Sequence, residues 1–242
     1  EKGARNLILM SRKGIANEES QKIIDRMEKV GAKIIIAKAD VSQQEQLREV
    51  LSMIESDMPP LQGIIHTAGV LADGVLQQLS WESFVKVMSP KLIGTWNLHI
   101  LTKNLTLDFF VSFSSIASLF GAPGQGNYSA ANAFMDAFSH YRKNIGLSTI
   151  TINWGPWAET GMAASLSSRD SSQLNRFIKD IAPDDGLKVL EQILTGESIQ
   201  IGAAPINWQN FLQQFVQIPS MFNDFAISET LTKEKDIQNK ST

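Results

Sequence analysis

In "GQGNYSAANAF" (Gly124–Phe134) a tyrosine, Tyr128, stands four residues before an asparagine, Asn132, where a glycine-rich turn runs into an alanine-rich helix. A phenol is a weak acid, with a pKa of about 10. It can protonate a carbonyl oxygen when well placed, and a nearby cation helps by favouring the phenolate left behind. Residues at i and i+4 share one helical face, so a polar pair among small residues there points to a site. The position one turn after the tyrosine holds an amide and no cation. Either the cation comes from elsewhere in the chain, or the tyrosine is ordinary packing.

A candidate cation lies in "VMSPKLIGTW". The spacing predicts Ser89 as an N-cap, Pro90 at the first helical position and Lys91 in the first turn. A lysine near a helix N-terminus opposes the macrodipole, which hints at a use, although composition alone suits a surface lysine. Hydroxyls at the end of "LDFFVSFSS" could donate to a developing oxyanion. Other strand ends carry cofactor chemistry, because open α/β sheets bind ligands beyond the carboxyl ends of their strands. Arg12 could pair with a 2′-phosphate, Asp40 before Val41 could accept from an adenine amino group, and small Ala68 and Gly69 would let a flat ring approach the backbone. Each of these has a plainer alternative, as a surface group or a tight turn.

These residues need a scaffold, and the apolar pattern supplies one. Short apolar runs at "NLILMSR", "AKIIIAKADV", "LQGIIHTAG", "LDFFVSFSS", "STITINWGP" and "SIQIG" alternate with helical stretches. The helical stretches lie near 18–30, 43–55, 80–103, 128–144, after Pro183 and near 208–216. That alternation predicts an α/β fold, a doubly wound parallel sheet of Rossmann type. The chain opens on "EKGARNLIL", which suggests a helix end capped by Gly3 and leaves the first βα unit, with its glycine-rich phosphate turn, expected but missing. "GAPGQG" has the wrong spacing to replace that turn.

The totals narrow the class. The 242 residues, 43% of them hydrophobic and 19% charged, suit a folded globular chain. A formal charge of −3 argues against a nucleic-acid or anionic-membrane footprint. The absence of cysteine removes disulfide and thiolate chemistry, and no apolar run approaches a membrane span. A cytoplasmic protein without a metal centre is expected.

Taken together, "LILMSRKG", "ADVS", "GIIHTAGVLADG", "MSPKLIGTWNLH", "FFVSFSSIASLFGAPGQGNYSAANAFMDAF" and "INWGPWAETGMA" resemble the ketoreductase domain of modular polyketide synthases. That domain is a branch of the short-chain dehydrogenase/reductase superfamily. The resemblance implies NADPH-dependent reduction of a β-ketoacyl group carried by an acyl carrier protein, with other polyketide synthase domains as neighbours. It also implies that lysine and asparagine have exchanged places relative to simpler short-chain reductases. The implied catalytic set is Tyr128 as proton donor, Ser115 as second donor to the ketone, Lys91 as electrostatic support and Asn132 in a proton relay. Arg12, Asp40, Val41, Ala68, Gly69, Gly155 and Pro156 take implied cofactor roles. The stretch 160–179, with Met162, would be a substrate lid. Leu71 and Asp73 correspond to the marker of the B-type, which gives a 3R hydroxyl, with alanine in place of the usual middle aspartate. Phe120 stands where the A-type carries tryptophan, and Ala130 is not the proline of the epimerising variant. Expected boundaries are a truncated catalytic domain over 1–217 and a linker over 218–242, running toward a carrier protein. Two alternatives stay open: a non-catalytic nucleotide-binding scaffold or inactive fragment, and a stand-alone short-chain reductase or epimerase, for which lysine rather than Asn132 is expected.

Overall fold

The computed structural model describes residues 3–159 and 177–226. Six strands form: β1 (Asn6–Ser11), β2 (Lys33–Lys38), β3 (Gly63–His66), β4 (Phe109–Ser115), β5 (Ile150–Trp154) and β6 (Gln200–Ala203). Between them lie α1 (Glu18–Lys29), α2 (Gln44–Asp57), α3 (Trp81–Met88), α4 (Gly94–Thr102), α5 (Ala117–Phe120), α6 (Gly126–Asn144) and α7 (Pro183–Leu194), and α8 (Trp208–Leu212) follows β6. β1 pairs parallel with β2, Ser11 opposite Lys38, and β3 pairs parallel with β4, His66 opposite Ser112. The alternating strands and helices bear out the doubly wound α/β expectation. Among the described residues the strands form two sheets, β1-β2 and β3-β4-β5-β6. β1 and β3 are edge strands, with Leu9 and Ile65 exposed at mid-strand. One cluster of Val41, Leu47, Leu98, Leu107 and Phe110 receives both Met10 of β1 and Ile64 of β3.

Local chemistry explains the helix limits. The Asn17 side chain caps α1 by accepting from the Ser20 amide at 2.8 Å. Glu18 and Glu19 begin that helix while Arg26 and Lys29 end it, as the macrodipole favours. The helical stretch 80–103 departs from expectation. Its N-cap is Ser80, whose hydroxyl accepts from the Ser83 amide at 3.1 Å. Ser89 is helical and turns its hydroxyl back to the Val85 carbonyl. Residues Ser89–Ile93 form a π-helical turn joining α3 to α4. Pro90 has no amide hydrogen to give, so the helix accommodates it by widening. Lys91 therefore sits at a mid-helix bulge, and the expectation of a first-turn lysine is corrected.

Gly94 opens α4 where a Cβ would lie 2.7 Å from Val41 Cγ1. Valine is stiff at χ1, so it cannot swing clear. Gly94→Ala is expected to destabilise the fold by about 1–3 kcal/mol, read as a lower urea midpoint at unchanged slope.

The chain divides into two compact units, 1–153 with 193–202 and 154–192 with 203–242. In the second, Trp208, Phe211, Phe215 and Phe222 form an aromatic cluster, and Phe225 stacks on Trp208 at 3.8 Å. Phe222 is buried, and Ser220–Phe222 form a short 3-10 turn within the stretch expected as linker. The polar composition of the sequence hid these late aromatic anchors.

Candidate active site

β4 and α6 carry the centre of the site. Arg142 at the end of α6 is buried, bonds His99 Nδ1 of α4 at 2.9 Å, donates to the Ser148 carbonyl at 3.0 Å and lies 4.0 Å from the Phe110 ring. These contacts fix α6 against α4 and β4. At the other end α6 begins at Gly126, two residues before the expected start, which puts Tyr128 inside its first turn. The Asn127 amide donates to the Ala72 carbonyl at 2.8 Å.

The structure brings all four expected catalytic side chains together. Lys91, only 2% exposed, donates from Nζ to the Phe113 carbonyl of β4 at 2.9 Å and lies 5.6 Å from the centre of the Tyr128 ring. The compositional alternative of a surface lysine fails here. Burial lowers the Lys91 pKa to about 8, opposed by the charge of Asp136. Buried His66, at the end of β3, lies 3.0 Å through Nε2 from the Pro90 carbonyl and steadies the bulge. Its pKa falls to about 4, through burial and then the Lys91 charge, so His66 is neutral at neutral pH.

Tyr128 is half-buried, and burial raises its pKa. The side chains of Asn132 and Ser115 oppose that rise, while Asp73 adds to it. The phenol is thus protonated at neutral pH and able to act as an acid. Asn132 is fully buried and donates from Nδ2 to the Tyr128 carbonyl at 2.8 Å. Its Oδ1 is buried with no hydrogen-bond partner among the described residues. A buried, unsatisfied oxygen is costly, and this one suits a bound water. The Ser115 hydroxyl caps the next turn, accepting from the Ala117 amide at 3.2 Å.

Arg12 and Asp40 share the carboxyl ends of β1 and β2, where the Ala39 amide donates to the Ser11 carbonyl at 3.1 Å. Ser11 also bonds the Gly14 carbonyl, and Gly14 has φ +77°, closing a tight turn that presents exposed Arg12 and Lys13. Asp40 uses Oδ1 for the Ser42 amide and hydroxyl. The Val41 side chain packs in the core and its carbonyl accepts from Asn97 at 3.1 Å. Ala68 and Gly69 follow β3, half-buried. This donor set fits an adenosine 2′-phosphate, with cations for the phosphate and a carboxylate oxygen for the amino group.

Gly155 and Pro156 follow β5 and lie in the second unit. There the Gly155 amide donates to the Ala203 carbonyl at 2.8 Å, and a Cβ would meet Ala204 at 2.9 Å. Exposed Asp73 accepts from Gln125 Nε2 at 2.9 Å, and the Gly74 amide donates to the Gly124 carbonyl at 2.8 Å. The turn carrying Leu71 and Asp73 is thereby pinned to the loop ahead of Tyr128. Phe120 ends α5, half-buried. Met162 and most of the expected lid, residues 160–176, lie outside the described residues.

Sequence reasoning missed Asp136 and Asn153, both buried beneath the site. Their signal was available: one acid on the alanine-rich face of α6, and one amide in the apolar strand "ITINW".

Residues 1–159 match the KR domain family. The chain belongs to that family. This KR chain is 38% identical over 194 residues to a phenolphthiocerol synthesis polyketide synthase of Mycobacterium marinum, a match covering 79% of the chain and 9% of that protein. It is 39% identical over 204 residues to the polyketide synthase GfsB of Streptomyces halstedii, covering 83% of the chain and 4% of that protein. Among solved structures it resembles an A1-type ketoreductase with a TM-score of 0.83 at 31% identity, covering 90% of the chain and 46% of that one. A ketoreductase domain from the bacillaene assembly line aligns with a TM-score of 0.79 at 31% identity, covering 88% and 52%. The KR chain therefore spans about half of these ketoreductase structures and under a tenth of the two synthases. Among the described residues no helix is long and apolar enough to cross a membrane.

Proposed function

We propose that this chain carries the reducing site of a polyketide synthase ketoreductase. The site converts the β-ketone of an acyl chain, held as a thioester on an acyl carrier protein, to a β-hydroxyl. The observation that carries this function is the buried ammonium of Lys91, 5.6 Å from the centre of the Tyr128 ring. Among the described residues no carboxylate is in contact with it; burying such a cation is costly, and supporting an ionising phenol accounts for it.

NADPH, when bound, supplies the hydride that reduces the ketone carbon. Arg12 and Asp40 suit its adenosine end, and the small residues Ala68 and Gly69 let it approach the backbone. Ser115 donates a hydrogen bond to the ketone oxygen, and Tyr128 gives that oxygen its proton. Lys91 favours the phenolate that results. The free Oδ1 of Asn132 holds a water through which the proton is replaced.

The multidomain relatives support neighbouring synthase domains as partners; a carrier protein that presents the substrate, and a cytoplasmic setting, belong to the proposal. The 3R outcome is supported by Leu71 and Asp73, pinned beside the Tyr128 helix, and by Phe120 in place of the A-type tryptophan.

The test is to incubate the full-length polypeptide with a β-ketoacyl carrier protein and NADPH, then resolve the product on a chiral column. The 3R hydroxyl is expected. A 3S product overturns the stereochemical assignment. NADPH binding without reduction supports a scaffold instead.

A further inference from the structure

A buried polar chain runs beneath the site with no role in the steps above. Asp136 of α6, 7% exposed, accepts through Oδ2 from Asn153 Nδ2 at 2.9 Å and lies 2.6 Å from the Ser118 hydroxyl. Thr151 Oγ1 approaches Oδ1 at 3.4 Å. The Ser118 hydroxyl also lies 2.7 Å from the Ser115 carbonyl, and Asn153 Nδ2 lies 3.3 Å from the same oxygen. Gln200 donates to Asn153 Oδ1 at 3.0 Å and so fixes which way that amide faces. The carboxylate thus meets hydroxyls and an amide, and no cation is in contact with it among the described residues. A buried carboxylate in such a setting needs a nearby positive charge. Lys91 supplies it: its Nζ lies 3.7 Å from the sulfur of Met135 on the same helix, and the charges of Lys91 and Asp136 attract.

We propose that Asp136 is a positioning residue for the reduction: the buried anion opposite Lys91 and, through Ser118 and Asn153, the clamp on the end of β4 that carries Ser115. It touches neither substrate nor cofactor. The titratable groups facing Lys91 are His66 from β3, with Tyr128 and Asp136 from α6. His66 is neutral and Tyr128 protonated near neutrality, which leaves Asp136 as the facing anion. The electrostatics agree, because Asp136 favours the charged form of Lys91 against burial. The role rests on the function proposed above, so its test includes a readout independent of turnover.

Two variants of the full-length polypeptide separate the two parts. Asp136→Asn keeps the shape and removes the charge. The alkaline limb of kcat and the Lys91 titration, followed by NMR of 13Cε-labelled lysine, are both expected to move to lower pH. Ser118→Ala leaves every charge in place and cuts the link to Ser115. Its kcat is expected to fall on the order of tenfold or more, with KM little changed and the Lys91 titration in place. A Lys91 titration that stays put in Asp136→Asn, or a wild-type kcat in Ser118→Ala, overturns the proposal. Were the polypeptide no reductase at all, the NMR arm would still report on Asp136, while turnover would be absent in the wild type too.

Discussion

Tyr128→Phe is expected to lower turnover of a β-ketoacyl thioester by about 10²–10⁴-fold, the range for loss of a positioned general acid. The substitution deletes one oxygen from a half-buried ring and leaves the helix, Lys91 and the cofactor residues as they were. KM and NADPH affinity should therefore stay within a few-fold, as they do when a lost interaction belongs to the transition state alone. Steady-state NADPH oxidation and a fluorescence titration with NADPH measure the two quantities. Near-wild-type turnover would remove Tyr128 from its role. A parallel loss of NADPH binding would make its contribution structural.

Lys91→Met is expected to do two opposite things. Turnover should fall by at least about tenfold, because the phenolate loses its nearby cation. Stability should rise. The folded pKa of Lys91 is lowered from 10.5 to about 8 by burial, so the folded state disfavours a charge that the unfolded chain carries freely. Between these values the unfolded chain binds more protons, and stability of the wild type increases with pH. Below about pH 8 the penalty is fully present. Removing it, less the lost bond to the Phe113 carbonyl and the lost compensation of buried Asp136, should stabilise the variant by at most roughly 2 kcal/mol at pH 7. The gain should shrink as pH rises from about 8 toward 10.5. Urea denaturation at pH 7 and pH 10 reads this directly. In the wild type, activity should fall as pH rises through about 8, as Lys91 loses its proton.

The fold was legible because strand and helix periodicities are strong where both faces of a sheet are covered. The places of Tyr128 and Asn132 on one helix and of Ser115 at a strand end were legible because spacing carries them. Lys91 was singled out on a local basis that the structure corrects. Sequence rules put Ser-Pro at a helix start, whereas tertiary packing kept the helix continuous and answered Pro90 with a wide turn. Its burial was invisible, since that depends on β4 and α6 closing around it. Asp136 and Asn153 went unnoticed because their partners lie 15 or more residues away in sequence and no local motif connects them. The aromatic anchors Phe222 and Phe225 were lost beside a polar tail, because single aromatic residues carry no period.

The most direct measurement is the fate of isotope from NADPH deuterated at its transferable position. After reaction of the full-length polypeptide with a β-ketoacyl carrier protein, mass spectrometry of the released acyl chain should show one deuterium, located at the β-carbon, and at least about 10²-fold less of that labelled product from Tyr128→Phe in the same time. An acyl chain without deuterium, despite NADPH bound and Tyr128 intact, would contradict the assignment of Tyr128, Ser115, Lys91 and Asn132 as a reducing site.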